Sequence, residues 1–345
     1  MKIRFIFLIS LLQLMPMTAM AQVEKAKDRR TFTFYLENDA FTETDRGYTS
    51  GIRLALISRD LTHYRKNPDL PEGSDHITKW LPFVNEPGFQ RSISMSIGQN
   101  IYTPEDVESS EVIEEDRPYA GVTYLGIGFH SKSSSRMDTL EFDIGAVGPQ
   151  SNAEESQKTM HEWMDNTQPN GWDNQLKDET VLGVFYERKW KLLQSGVGSG
   201  FGYDIIPRLG GGLGNLYTYA NTGAEVRFGW NLPNDFGTFL IRPGSDASAA
   251  LDERDPRYFR HRRFGIHFFS AVDGRAVRRN IFLDGNTLED SHRVDKKPFV
   301  ADFMAGLGVI VGPFKVSYAY AYRTKEFETQ KDDQVFGSIT LSVSF

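Results

Sequence analysis

Two short polar clusters in this 345-residue chain carry side chains suited to hydrolytic chemistry. The first is Glu37-Asn38-Asp39, followed after a short gap by Tyr48-Thr49-Ser50-Gly51. If one stretch ends a strand and the other opens the next, Asn38, Asp39 and Thr49 meet at a sheet rim. Their oxygens suit a hard cation such as Ca2+, which takes about six to eight oxygen ligands. The same residue types also populate turns for backbone reasons alone. The second cluster is Gln157 and His161, four residues apart and so on one face of any helix that holds them. Histidine is the side chain best poised to accept a proton near neutral pH, with a solvated surface histidine as the alternative. Ser50 and Ser156 are possible nucleophiles nearby, but no G-x-S-x-G elbow with a partner histidine accompanies them. A water activated by His161 is the simpler assignment.

The rest of the chain must supply elements that bring these residues together. Absence of cysteine excludes a disulfide framework, a Cys-based zinc site and a thiol nucleophile, and the formal charge of −7 argues against nucleic acid as a partner. Lys2 and Arg4 precede an apolar run from Phe5 to Leu14 and the small-x-small triplet Ala19-Met20-Ala21, the pattern of a secretory signal over residues 1–21. That run is shorter than the roughly 20 residues of a spanning helix. Removing the leader takes away Lys2 and Arg4 and moves the formal charge from −7 to −9. No segment of 22–345 approaches a spanning helix in length, so entry into a membrane requires a closed sheet.

Period-two alternation makes that case. Ile339, Leu341, Val343 and Phe345 alternate with Ser338, Thr340, Ser342 and Ser344, and Val316, Tyr318, Tyr320 and Tyr322 alternate with Lys315, Ser317, Ala319, Ala321 and Arg323. An aromatic and aliphatic face backed by small polar residues is the pattern of a lipid-facing strand. The same template predicts strands near 31–37, 48–58, 90–100, 121–132, 138–147, 180–193, 198–210, 216–230, 262–283, 298–311, 313–323 and 335–345. The fold class expected is all-β, an antiparallel transmembrane barrel of about twelve strands. Residues 152–166 interrupt the rhythm and predict a short helix with an Asn152 cap and a capping box to Glu155. With both termini periplasmic, the connections 38–47, 101–120, 148–179, 211–215, 284–297 and 324–334 fall on the extracellular rim. The connections 59–89 and 231–261, each about 30 residues long, stand where short periplasmic turns are expected.

The ordered set Glu37-Asn38-Asp39, Tyr48-Thr49-Ser50-Gly51, Tyr102-Thr103-Pro104, Asp116-Arg117-Pro118-Tyr119-Ala120-Gly121, Gly148-Pro149, Gln157-x-x-x-His161 and Gly171-Trp172-Asp173-x-Gln175-Leu176 resembles the outer-membrane lipid A 3'-O-deacylase family. The resemblance runs from about residue 31 to Phe345 and rests on the order of the motifs, since none is specific alone. It implies a twelve-stranded outer-membrane barrel that removes the 3'-acyloxyacyl group of lipid A by Ca2+-dependent ester hydrolysis near the outer leaflet. Carried over by motif, His161 would be the general base, Asn38 and Asp39 would organise the cation and the reacting carbonyl, Thr49 would orient them, and Gln157 would support His161.

The loop between Pro104 and Asp116 departs from what an anionic substrate would want, with Glu105, Asp106, Glu108, Glu111, Glu114 and Glu115 and no Lys or Arg. Direct phosphate contacts would have to come from Arg117, Arg275, Arg278 or Arg279, which also read as solvated charges. Three other functions remain open on sequence: a phospholipase or acyl hydrolase acting through Ser50 or Ser156, a passive pore whose small inward residues leave a lumen, and a water-soluble all-β secreted domain.

Overall fold

The computed structural model describes residues 28–42, 47–64, 78–79, 83, 86–196, 200–244, 248–258 and 264–345; the expected leader lies outside them. Twelve antiparallel strands form the wall: β1 (Thr31–Asn38), β2 (Gly47–Ile57), β3 (Gln90–Thr103), β4 (Ala120–Lys132), β5 (Arg136–Val147), β6 (Glu179–Trp190, continued by Leu192–Ser195), β7 (Phe201–Gly214), β8 (Tyr217–Trp230), β9 (Phe264–Asn280), β10 (Phe299–Val311), β11 (Phe314–Arg323) and β12 (Gln334–Ser344). Each pairs with its sequence neighbours, β1 pairs with β12, and β6 meets β7 from Gly183↔Gly214 to Lys189↔Arg208, so the sheet closes on itself. The ring is therefore the expected twelve-stranded barrel, with the strand expected over 262–283 running from Phe264 to Asn280. Among the described residues no helix is long and apolar enough to cross a membrane.

Alternation sorts the two faces. Ser338, Thr340, Ser342 and Ser344 turn inward and are buried, while Tyr318, Tyr320 and Tyr322 turn outward with Leu54, Leu56, Met95, Ile97, Leu125, Ile127 and Ile144. An exposed belt of this kind is stable against hydrocarbon and unfavourable against water, which removes the water-soluble alternative. The inward face is the polar one, as a barrel lumen requires.

Much of the lumen is occupied. The connection after β8, described over 231–244 and 248–258, turns into the barrel from the end where β1 begins and β12 ends, and Leu232, Phe236, Phe239, Leu240, Ile241 and Leu251 are buried there. Asp235 anchors it, accepting from Arg227 of β8 (2.6 Å), Lys315 of β11 (2.8 Å) and Arg257 (3.1 Å). Higher up, Arg242 pairs with Asp273 and Asp302, and Arg53 of β2 donates to Glu141 of β5 and to the Arg242 carbonyl. The Ile241 N–H donates to Glu37 (2.7 Å). At the opposite rim the turn α2 (Ile281–Asp284) covers the lumen, with Phe282 stacked on Tyr102 at 4.0 Å. The described parts of the unexpectedly long 231–261 connection, 231–244 and 248–258, thus form a plug, and the small inward residues make room for it rather than for a channel. In the 59–89 connection, Tyr64 is buried against the ends of β3 and β4 and donates to the Ser92 and His130 carbonyls; most of the segment lies outside the described residues.

Burial alone would raise the Asp235 carboxyl, but Lys315, Arg227 and Arg257 overcome it and hold it well below the ordinary carboxylate range. Its contribution to stability is therefore present above the ordinary carboxylate pKa and is lost only as pH falls through the depressed folded value. Asp235→Ala leaves Lys315 buried without its carboxylate and is expected to cost about 3–5 kcal/mol, read as a lower temperature for loss of the compact heat-modifiable form in detergent. The wild-type protein is expected to show no steady conductance in planar bilayers; stable channels at the single-molecule level would refute the plug.

Candidate active site

The pocket that collects the sequence candidates lies on the outer wall of the barrel, not in its lumen. Toward the end of β3, Gln99, Ile101 and Thr103 continue the outward row of Met95 and Ile97, yet Ile101 and Thr103 are buried because the β5–β6 connection folds over them. That connection contains α1 (Ala153–Met164), which packs on β3 and β4. Close approach is possible because Gly121 of β4 has no side chain: a Cβ there would stand 1.9 Å from the Ala153 Cβ. Gln99 (2.8 Å) and Thr123 (2.7 Å) both donate to the Ser151 carbonyl and fix the start of the helix to the wall. Ile101, Tyr119, Ala153 and Trp172 form a small apolar cluster beneath it.

Asn152 precedes the helix as expected, but it does not cap it with its side chain. Its backbone is left-handed (φ 53°, ψ 23°) and it closes the turn Pro149–Ser151, so no capping box with Glu155 forms. Asparagine tolerates this conformation better than most residues, and Glu154 and Glu155 in the first turn complement the helix dipole instead.

Gln157 and His161 share the helix face turned to the wall, exposed by only 2% and 3%. With Asn38, Asp39, Thr49, Ser50, Ile52, Gln99, Ile101, Ser156, Met160 and Asn166 they line one pocket. A β-bulge between Tyr48 and Ser50 lets Tyr48 face the lumen while Thr49 joins the outward side, where its hydroxyl bonds Thr103 (2.7 Å). Asn38 Nδ2 donates to the Thr49 carbonyl (3.0 Å), tying the end of β1 to the start of β2. His161 Nδ1 donates to the Thr167 carbonyl (2.5 Å), which leaves Nε2 as the basic nitrogen. Gln157 Oε1 accepts from the Trp172 indole (2.8 Å).

Five candidates therefore converge: Asn38, Asp39, Thr49, Gln157 and His161. Among the described residues no three His, Cys, Asp or Glu side chains cluster as a metal site. A cation held here would have the Asp39 carboxylate as its charged ligand, joined by amide, hydroxyl and backbone oxygens, a hard-donor set that fits Ca2+. Ser50 and Ser156 also line the pocket, and the Ser156 Oγ donates to the Asn152 carbonyl four residues back.

The phosphate candidates do not line this pocket. Arg117 is buried and paired with Glu326 (2.8 Å), Arg275 is paired with Asp302 (3.1 Å), and Arg279 donates to the Asn215 and Gly285 carbonyls. Arg278 is exposed on β9, which is separated from β1 by three strands of the ring. Burial pushes the Glu326 carboxyl up, and Arg117 and Arg323 overcome that and hold it below its ordinary range, so Arg117 serves this buried pair.

The family model described as outer membrane protein LpxR matches residues 6–345. The chain belongs to the LpxR family. LpxR from Salmonella typhimurium aligns over 91% of this chain and 99% of its own, with a TM-score of 0.68 at 22% identity, and supports the same barrel fold. The β domain of the Bordetella autotransporter BrkA (92% of this chain, 98% of its own, TM-score 0.41, 9% identity) and the KdgM porin (92% and 99%, TM-score 0.34, 6% identity) are too distant to bear on it. No curated protein matches the chain. LpxR family membership places the chain in the outer membrane and agrees with the deacylase resemblance carried by its ordered motifs.

The sequence motifs gave no role to Gln99 or Ile101 and did not include Met160, and nothing in them showed that the Trp172 ring is buried, at 1% exposure. One signal for Gln99 was available: an amide in the outward row of a lipid-facing strand is out of place unless something covers it. In this LpxR family member, Gly121→Val is expected to lift α1 off the wall, reducing activity at least about 100-fold through misplacement of His161 and Gln157. The barrel should persist, which heat-modifiability in detergent would check.

Proposed function

We propose that the chain hydrolyses the ester holding the 3'-linked acyloxyacyl group of lipid A, from the outer-leaflet side of the outer membrane, with Ca2+ and with His161 as general base. The observation that carries this reading is the meeting of Asn38, Asp39, Thr49, Gln157 and His161 in one pocket on the lipid-facing wall. A substrate anchored by acyl chains reaches such a pocket sideways within its leaflet, whereas a lumenal site would demand that it leave the membrane.

His161, held in the Nδ1–H form by the Thr167 carbonyl, accepts a proton at Nε2 from the attacking water. As the acyl carbon–oxygen bond breaks, the same nitrogen returns that proton to the departing sugar oxygen, releasing the fatty acid. Asp39, with Asn38 and Thr49 around it, would hold the cation, which when bound supplies positive charge where the carbonyl oxygen becomes negative. Gln157 lies one helical turn before His161 on the same face, with its amide oxygen held by the Trp172 indole. Arg117 and Arg275 are spent on internal pairs, so the lipid A phosphates are met through divalent cations rather than through those arginines.

The serine alternative has less behind it, because the Ser156 hydroxyl is committed to the helix backbone. Mass spectra of lipid A from bacteria making the wild-type chain should show loss of one acyloxyacyl group. His161→Ala should lower that rate by about 10²–10⁴-fold, and chelation of Ca2+ in isolated membranes should abolish it. Deacylation that persists in both the variant and the chelated membranes would refute the mechanism; fatty acid release from phospholipid vesicles that is lost in Ser50→Ala would favour the serine enzyme.

A further inference from the structure

We infer that Trp172 is a positioning residue: its indole N–H sets the Gln157 amide so that the amide NH2 group faces the pocket and donates to the carbonyl oxygen of the ester under attack. The orientation follows from chemistry. An indole nitrogen can only donate, so the Gln157 atom 2.8 Å from Trp172 Nε1 must be the amide oxygen. That leaves Nε2 as the other end of the amide, and it is buried with no hydrogen-bond partner although Gln157 lines the pocket. A buried donor without an acceptor is destabilising, and a substrate oxygen entering the pocket satisfies it.

Trp172 cannot readily turn away. Its ring lies against Tyr119 at 5.1 Å, and a Cβ on Gly171 would stand 2.4 Å from the same tyrosine, so the glycine permits this contact. The Trp172 loop is bound to the acidic loop before β4 through Asn170 N–H to the Val107 carbonyl (2.9 Å), Asn174 Nδ2 to the Ser110 carbonyl (2.8 Å) and Leu176 N–H to the Tyr119 carbonyl (2.9 Å). Without the indole donor the amide is free to flip and present oxygen, which would repel the developing negative charge. A donor fixed before the reaction is the form of stabilisation that lowers a barrier. The substrate carbonyl in this inference rests on the deacylase reading; the orientation of the amide rests on geometry alone.

The test is a double-mutant cycle on the full chain folded in detergent with lipid A and Ca2+, using Trp172→Phe, Gln157→Leu and the pair. Gln157→Leu should lower kcat about 100-fold and Trp172→Phe about 10-fold, both with KM little changed, and adding Trp172→Phe to Gln157→Leu should cost no more than about two-fold further. Multiplying losses in the pair, or full kcat in Trp172→Phe, would overturn the inference by giving the indole a merely structural role. A second readout needs no activity: in nitrogen-15 spectra the indole N–H signal absent from Trp172→Phe should shift in Gln157→Leu, and an unmoved signal would overturn the hydrogen bond itself. Wild-type protein that leaves lipid A intact while that signal still shifts would sink the deacylase reading and the carbonyl role with it, leaving the amide orientation standing.

Discussion

The contact between α1 and the outside of the barrel is what the functional geometry hangs on. A helix laid on a lipid-facing wall has no hydrophobic advantage there over lipid tails, so it is held by shape and by hydrogen bonds. Gly121 gives Ala153 its place, and Gln99 with Thr123 holds the Ser151 carbonyl. Behind the helix, Tyr119 and Trp172 form a buried backing. Once α1 is fixed, Gln157 and His161 face the ends of β1 and β2, and the bulge at Thr49 turns that residue toward them.

The plug and the pocket divide the molecule into an inside that confers rigidity and an outside that can do chemistry. The lumen is packed with ion pairs such as Arg53–Glu141 and Arg227–Asp204, whose carboxylates and guanidinium groups are fully buried. Pairs of this kind fix one arrangement because separating either partner is costly. Two other lumen-facing residues touch the site from behind: Glu37, which accepts from the plug at Ile241, directly precedes Asn38, and Tyr48, which lines the lumen cavity, directly precedes Thr49. Alternation along each strand thus lets one short segment hold the plug with one side chain and the site with the next.

The acidic loop between Pro104 and Asp116 also finds a place in this arrangement. Its backbone carbonyls at Val107, Glu108 and Ser110 accept hydrogen bonds from Asn170 and Asn174, so it braces the Trp172 loop. Exposed carboxylates such as Glu111 and Glu114 then need no substrate partner.

Strand number, the polarity of the two faces and the helix in the β5–β6 connection were legible from the sequence, because each is a local, periodic signal: Tyr318, Tyr320 and Tyr322 declare their face without reference to any other strand. The ordered motifs also marked Asn38, Asp39, Thr49, Gln157 and His161 as belonging together. Tertiary structure alone decided on which side of the wall they meet, since a bulge of one residue at Thr49 and a missing side chain at Gly121 reverse or permit contacts between segments far apart in the chain. It alone decided that the segment around Asp235 enters the lumen, for the charge of Asp235 has no local partner that explains it until Arg227, Lys315 and Arg257 surround it. And it alone withdrew Arg117 from the surface, because burial depends on which loop covers a residue and not on the residue itself.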